Sequence, residues 1–159
     1  MPSISTAKVT LPGDTQILIE REFDAPARLV WKAYTTPELV KRWWGGNHGI
    51  VTSAEIDLRP GGSWRYVMTA DGGFEVAFHG EYREVDAPGR LVNTEIYEGA
   101  PDGVGVVTTT LTEMDGRTLL SQLCDYGTRQ VRDAVIDSGM ETGMQSSFDE
   151  LEKVAVSLG

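Results

Sequence analysis

Between residues 50 and 126 the chain is interrupted five times by short turn-forming stretches, RPGG, ADGG, DAPG, EGAPDG and MDG, each separating two runs rich in β-branched and aromatic residues. Glycine supplies the positive φ that tight turns need and proline presets another corner, so this punctuation forces the chain to fold back on itself repeatedly. The runs at 50–58, 63–70, 74–85, 90–97, 104–114 and 117–126 predict an antiparallel meander of about six strands. QILIEREF at 16–23 adds one more, which brings the expected sheet to about seven strands.

Helical patterns flank the meander. Asp24-Ala25-Pro26 reads as an N-cap carboxylate with a first-turn proline, opening a helix near 26–34 with Leu29, Val30, Ala33 and Tyr34 on one stripe. Thr35-Thr36-Pro37-Glu38 has capping-box spacing ahead of a second short helix, which carries Leu39, Val40, Trp43 and Trp44 before Gly45-Gly46 stops it. After the meander, 127–139 predicts a short helix with Val131, Ala134 and Val135 inward, and Gly139 just past its end. The final helix, 140–158, repeats Met140, Met144, Phe148, Leu151, Ala155 and Leu158 every three or four residues. Residues 1–15, polar and containing Pro12 and Gly13, read as a flexible arm, and 16–159 as a single domain.

This order predicts an α+β fold in which a curved antiparallel sheet is crossed on its concave side by the long C-terminal helix. One helix does not fill such a concavity, so a gap is expected between helix and sheet. Alternation indicates what faces it. Trp64, Tyr66 and Met68 share one side of their strand, and Phe74, Val76, Phe78, Gly80 and Tyr82 share one side of the next, opposed by Glu75, His79, Glu81 and Arg83. The aromatic side is expected to be concave and His79 to sit on the outer, wet surface. In VGVVTTTLTEM and RTLLSQLCDY both faces mix polar and apolar residues, so the pattern does not decide which polar groups enter the gap. Neighbours on a helix point about 100° apart, so Trp43 and Trp44 do not both fill the same core position.

Composition narrows the partners. With 24 acidic and 14 basic residues the formal net charge is −10, which disfavours nucleic acid and anionic lipid surfaces. The N-terminal residues lack a signal-peptide pattern and no run approaches a membrane span, so a cytoplasmic protein without membrane insertion is expected. The single Cys124 sits in an apolar run and reads as a buried thiol behaving as a small hydrophobe. No Cys/His cluster offers metal ligands, and RPGGS and ADGG are hairpin turns rather than phosphate loops, so neither metal nor cofactor is expected. His48, in the loop after Gly45-Gly46, reads as an exposed residue beside the mouth of the gap; no catalytic constellation is legible.

The runs REFDAPARLVWKAYTTPELVKRWWG, EIDLRPGGSWRYVM, GEYREVDAPGRLVNTE, VTTTLTE and RDAVIDSGMETGMQSSFDEL, in order over residues 16 to 157, resemble the bacterial single-domain members of the activator-of-heat-shock-protein-ATPase-like family. The resemblance implies the START-like, or SRPBCC, superfamily and its helix-grip fold. It also implies a range of roles: carriers of lipids, sterols, hormones and polyketides, aromatase/cyclase enzymes, and one domain of a cochaperone linked to the heat-shock response. That cochaperone has a separate N-terminal domain, and only about 15 residues precede the first expected strand here, so its activity is not expected to carry over. No catalytic motif transfers residue by residue.

The expected function is binding of a small hydrophobic or aromatic, lipid-like or polyketide-like molecule, by a monomer or homodimer. The expected lining is Trp43, Trp44, Trp64, Tyr66, Met68, Val76, Phe78, Met140, Met144 and Phe148. A cyclase-type enzyme and a chaperone-interaction module, the latter docking through Lys41-Arg42 and Trp43-Trp44, are the alternatives.

Overall fold

The turn chemistry does what the sequence asks of it. At the tip of the hairpin joining Val104–Met114 to Arg117–Asp125, Asp115 and Gly116 take φ of 53° and 78°, a two-residue turn whose twist matches that of the flanking strands. The computed structural model, which describes residues 6–159, contains twelve elements in chain order: β1 (Lys8–Thr10), β2 (Gln16–Phe23), α1 (Ala27–Thr35), α2 (Pro37–Trp43), β3 (Gly49–Ile56), β4 (Ser63–Ala70), β5 (Glu75–Asp86), β6 (Arg90–Tyr97), β7 (Val104–Met114), β8 (Arg117–Asp125), α3 (Arg129–Asp137) and α4 (Met140–Ser157).

The strands form one antiparallel sheet in the order β1-β2-β8-β7-β6-β5-β4-β3. It has eight strands rather than about seven, because Lys8, Val9 and Thr10 pair with Glu20, Ile19 and Leu18. Part of the stretch read as a flexible arm is thus an edge strand. The backbone N–H and carbonyl of Ala7, just ahead of it, bond the Gln145 side chain of α4 at 3.0 and 2.8 Å. Backbone pairing outweighs the polar composition that suggested a loop. Residues 1–5 of that stretch lie outside the described residues.

Three further readings change. Pro26, not Asp24, is the N-cap of α1, and the Ala27 N–H is instead capped by the Glu113 carboxylate of β7 at 2.8 Å, while Asp24 pairs with Arg117. Thr35 does not cap α2, because its hydroxyl donates back to the Trp31 carbonyl at 2.7 Å; the N-cap is Thr36, which makes no side-chain bond. In α3, Ala134 is exposed; what α3 buries is Arg132, which donates to the carbonyls of Gly13 and Gln16.

The core lies where α1 and the C-terminal half of α4 meet the β1–β2–β8 side of the sheet. Ile17, Ile19, Arg21 and Phe23 alternate inward along β2, and Phe148, Leu151, Val154 and Ala155 face them from α4. Phe23 and Phe148 meet edge to face at 5.8 Å. Arg21, only 3 % exposed, donates to the Phe148 carbonyl and to Asp149 across the same seam. The chain turns from α2 into β3 through Gly45 and Gly46, at φ 83° and 57°. A Cβ on Gly45 would collide with the Met68 sulfur, and one on Gly46 with Ser146 of α4, so the glycine pair lets this loop press against both sheet and helix.

Candidate functional site

The N-terminal half of α4 does not follow its C-terminal half into the core. Met140 and Met144 are half-buried and face a cavity of about 510 Å³ enclosed by α4, the α2–β3 loop and the concave face of β4 to β8. Its exposed lining residues, His48, Gly139 and Thr142, stand together where the α2–β3 loop meets the start of α4, which marks the mouth.

The two adjacent tryptophans separate here. Trp43 is 3 % exposed; its indole N–H donates to the Ala33 carbonyl at 2.9 Å, satisfying one of the orphan acceptors in the last turn of α1, and its ring stacks on Tyr34 at 5.3 Å. Trp44 is half-buried and meets the rings of Tyr66 and Phe78 edge to face, at 5.5 and 5.7 Å, as part of the cavity wall. Both indoles border the cavity, the first as a fixed side of the core and the second near the mouth. On β4, Trp64 donates its N–H to the Thr94 carbonyl at 3.1 Å and its ring packs against Tyr66.

Of the residues expected from sequence to line the gap, Trp43, Trp44, Trp64, Tyr66, Met68, Phe78, Met140, Met144 and Phe148 border this cavity. Val76 does not. It pairs with Met68 near the β4–β5 turn, beyond the covered part of the concave face, and Phe74, the next residue of the same parity, is 62 % exposed as the hairpin tip runs into solvent. His79 is on the outer face, where its Nδ1 and the Arg65 guanidinium both meet the Glu98 carboxylate at 2.9 Å. These contacts, led by the Arg65 hydrogen bond, hold the Glu98 carboxyl at about 2.

Sequence reasoning missed the polar floor. Gln122 of β8 donates to the Tyr34 hydroxyl at 2.9 Å and to Thr109 at 3.0 Å, and Tyr66, Tyr82, Asn93, Cys124 and Tyr126 complete this side. Burial pushes the Tyr34 phenol up to about 12 and raises those of Tyr66, Tyr82 and Tyr126 and the Cys124 thiol, so all stay protonated near neutrality.

Glu95 is the exception to this order of satisfied groups. Its side chain lines the cavity, has no hydrogen-bond or ion-pair partner among the described residues, and desolvation lifts its carboxyl to about 7. Register explains its isolation: Glu95 lies opposite Gly105 on β7 and, two residues along from the Tyr97–Phe78 pair, opposite Gly80 on β5. Neither neighbour has a side chain. The signal was present in RLVNTEIY, where Asn93 and Glu95 share the parity of buried Leu91, but a lone acidic residue near a strand end does not reveal that its neighbours across the sheet are glycines. No group of three or more His, Cys, Asp or Glu among the described residues is placed to hold a metal ion.

A curved antiparallel sheet gripping one long C-terminal helix over an internal cavity defines the helix-grip class of START-like proteins. The model of the Activator of Hsp90 ATPase homolog 1-like protein family matches residues 24–155, and the chain belongs to that family. Among solved structures, a Rhodobacter sphaeroides protein superposes with a TM-score of 0.87 at 28% identity, covering 95% of this chain and 99% of its own. A Mycobacterium smegmatis protein follows at TM-score 0.84 and 27% identity, covering 94% and 96%. An AHSA1-like protein from Aeromonas hydrophila, at 23% identity and TM-score 0.70 over 91% and 94%, shares the fold. No curated protein matches the chain. No described helix is long and apolar enough to cross a membrane.

Proposed function

We propose that this protein binds a small, largely apolar or aromatic molecule in the cavity beneath α4. The observation that carries the reading is the cavity itself: about 510 Å³, walled by Trp43, Trp44, Trp64, Tyr66, Phe78 and Phe148, with Asn93, Glu95 and Gln122 as polar groups on the sheet and His48, Thr142 and Ser147 on the loop and α4. Ligand sites commonly occupy about 300–1,000 Å³ and combine an apolar wall with a few orienting polar groups. Affinity would come from burial of apolar surface, at roughly 25 cal/mol per Å², and orientation from the tyrosine hydroxyls and the Gln122 amide. Favouring this reading over docking of a chaperone at Lys41-Arg42 and Trp43-Trp44, Trp43 is buried and the half-buried Trp44 ring packs on Tyr66 and Phe78.

The test is a thermal-shift and tryptophan-emission screen with fatty acids, sterols, flavonoids and polyketide-like aromatics. A ligand at about one hundred times its Kd adds about 2.7 kcal/mol, which raises Tm by roughly 5–10 °C in a domain of this size, and quenches Trp44. A panel that changes neither signal overturns the reading.

A further inference from the structure

A single row of residues crosses the concave face at the level of Glu95. Continuing the observed pairings, it runs Trp64 on β4, Gly80 on β5, Glu95 on β6, Gly105 on β7, and Tyr126 just past β8. The neighbours close in over both glycines: a Cβ on Gly80 would strike the Thr94 carbonyl oxygen and stand 2.8 Å from the Trp64 indole nitrogen bonded to it, and one on Gly105 would stand 3.1 Å from the Tyr126 ring. Glu95 is therefore flanked in its row by glycines, with Trp64 and Tyr126 beyond them on either side, and all three side chains line the cavity.

We propose that Glu95 makes this cavity a receptor for an apolar or aromatic molecule carrying a protonated amine, whose ammonium pairs with the Glu95 carboxylate between Trp64 and Tyr126. The inference rests on the cavity-binding reading above. What the site lacks is a positive charge. Among the described residues no lysine or arginine lines the cavity; the titratable groups around Glu95 are Tyr34 from α1, Tyr66 from β4, Tyr82 from β5, Cys124 and Tyr126 at β8, and His48 at the mouth, while α4 contributes none. The phenols and thiol hold their protons well above neutrality and are neutral in that form, so they add no charge of either sign beside Glu95. A half-buried carboxylate with no partner is costly, and a ligand that brings the missing cation offsets that cost while a neutral ligand leaves it standing. The net charge of −10 draws cations toward the mouth, and a fatty-acid carboxylate would meet Glu95 as a like charge.

Because burial lifts the Glu95 carboxyl to about 7, an ammonium beside it favours the ionised form and its binding is coupled to proton loss below that pH. Isothermal titration with three matched probes tests this: 2-(2-naphthyl)ethylamine, 2-propylnaphthalene and 3-(2-naphthyl)propionate. At pH 8 the amine is expected to bind at least about tenfold more tightly than the neutral hydrocarbon, the margin of one charge-assisted contact, and the propionate more weakly than either. At pH 5.5, with the amine still protonated, that advantage falls on the order of tenfold. Glu95→Gln, close in shape and checked for folding by circular dichroism, is expected to keep hydrocarbon binding and lose the preference for the amine. Equal binding of amine and hydrocarbon by the native protein, tighter binding of the propionate, or a preference that survives in Glu95→Gln overturns the inference and leaves the cavity reading intact. Failure of all three probes to bind native protein and variant alike overturns both.

Discussion

The Arg21 guanidinium donates to the Phe148 carbonyl oxygen at 3.2 Å, so strand β2 is tied to α4 at the point where that helix passes from core packing to roofing the cavity. The same group meets Asp149 at 2.9 Å and Glu152 at 3.5 Å and lies 4.6 Å from the centre of the Phe23 ring. A buried cation with this many acceptors acts as a clasp. The expected cost of Arg21→Ala is about 2–3 kcal/mol, below the full figure for a buried pair because Asp149 is partly in water. Urea unfolding of the two proteins measures it, and a loss under about 0.5 kcal/mol would show that the seam holds without the clasp.

The neighbouring tryptophans are expected to respond differently. Trp43→Ala removes a core ring and its bond to Ala33 and is expected to cost about 3–5 kcal/mol. Trp44→Ala, at a half-buried wall position, is expected to cost less than half as much but to abolish most of the ligand-induced quenching. Denaturation curves and emission titrations of both variants separate the roles; equal destabilisation would contradict the division between core and wall.

Glu95 makes stability depend on pH with a defined sign. Its carboxyl titrates near 7 in the folded protein against an ordinary value of 4.5, so the folded state holds the proton more tightly. The contribution is fully present below about 4.5 and is lost as pH rises through 7, on the order of 3 kcal/mol in all. Glu95→Gln removes this dependence, so the variant is expected to gain on the native protein between pH 5 and 8 when unfolding free energies are compared. Glu98, held at about 2, shifts the other way and loses its contribution only as pH falls below the ordinary range, outside this window. A constant difference between the two proteins from pH 5 to 8 would refute the assignment.

Cys124 is 4 % exposed and burial raises its thiol well above its usual value. It is expected to resist Ellman's reagent in the folded protein at pH 8 and to react at once in denaturant. Rapid labelling of the folded form would mean that the inner side of the cavity opens far more readily than the packing implies.

Local sequence determined the architecture. The turn at Asp115-Gly116, the alternation in SWRYVMT and the apolar spacing of α4 each act over a few residues, and together they leave one economical packing. Nearest-neighbour chemistry also separated His79 on the wet face from Trp64 and Phe78 on the concave one. It misjudged places where a distant group intervenes: Glu113 caps α1 from 86 residues away, and Lys8–Thr10 becomes a strand because β2 offers an open edge.

Tertiary structure alone decided which tryptophan is core and which is wall, because the Ala33 carbonyl that fixes Trp43 belongs to another helix. It alone decided that Glu95 is isolated, since that follows from a register placing Gly80 and Gly105 beside it. Propensity and periodicity act along the chain, whereas satisfaction of a polar group depends on whatever the sheet brings alongside it, and no short window of sequence contains that information.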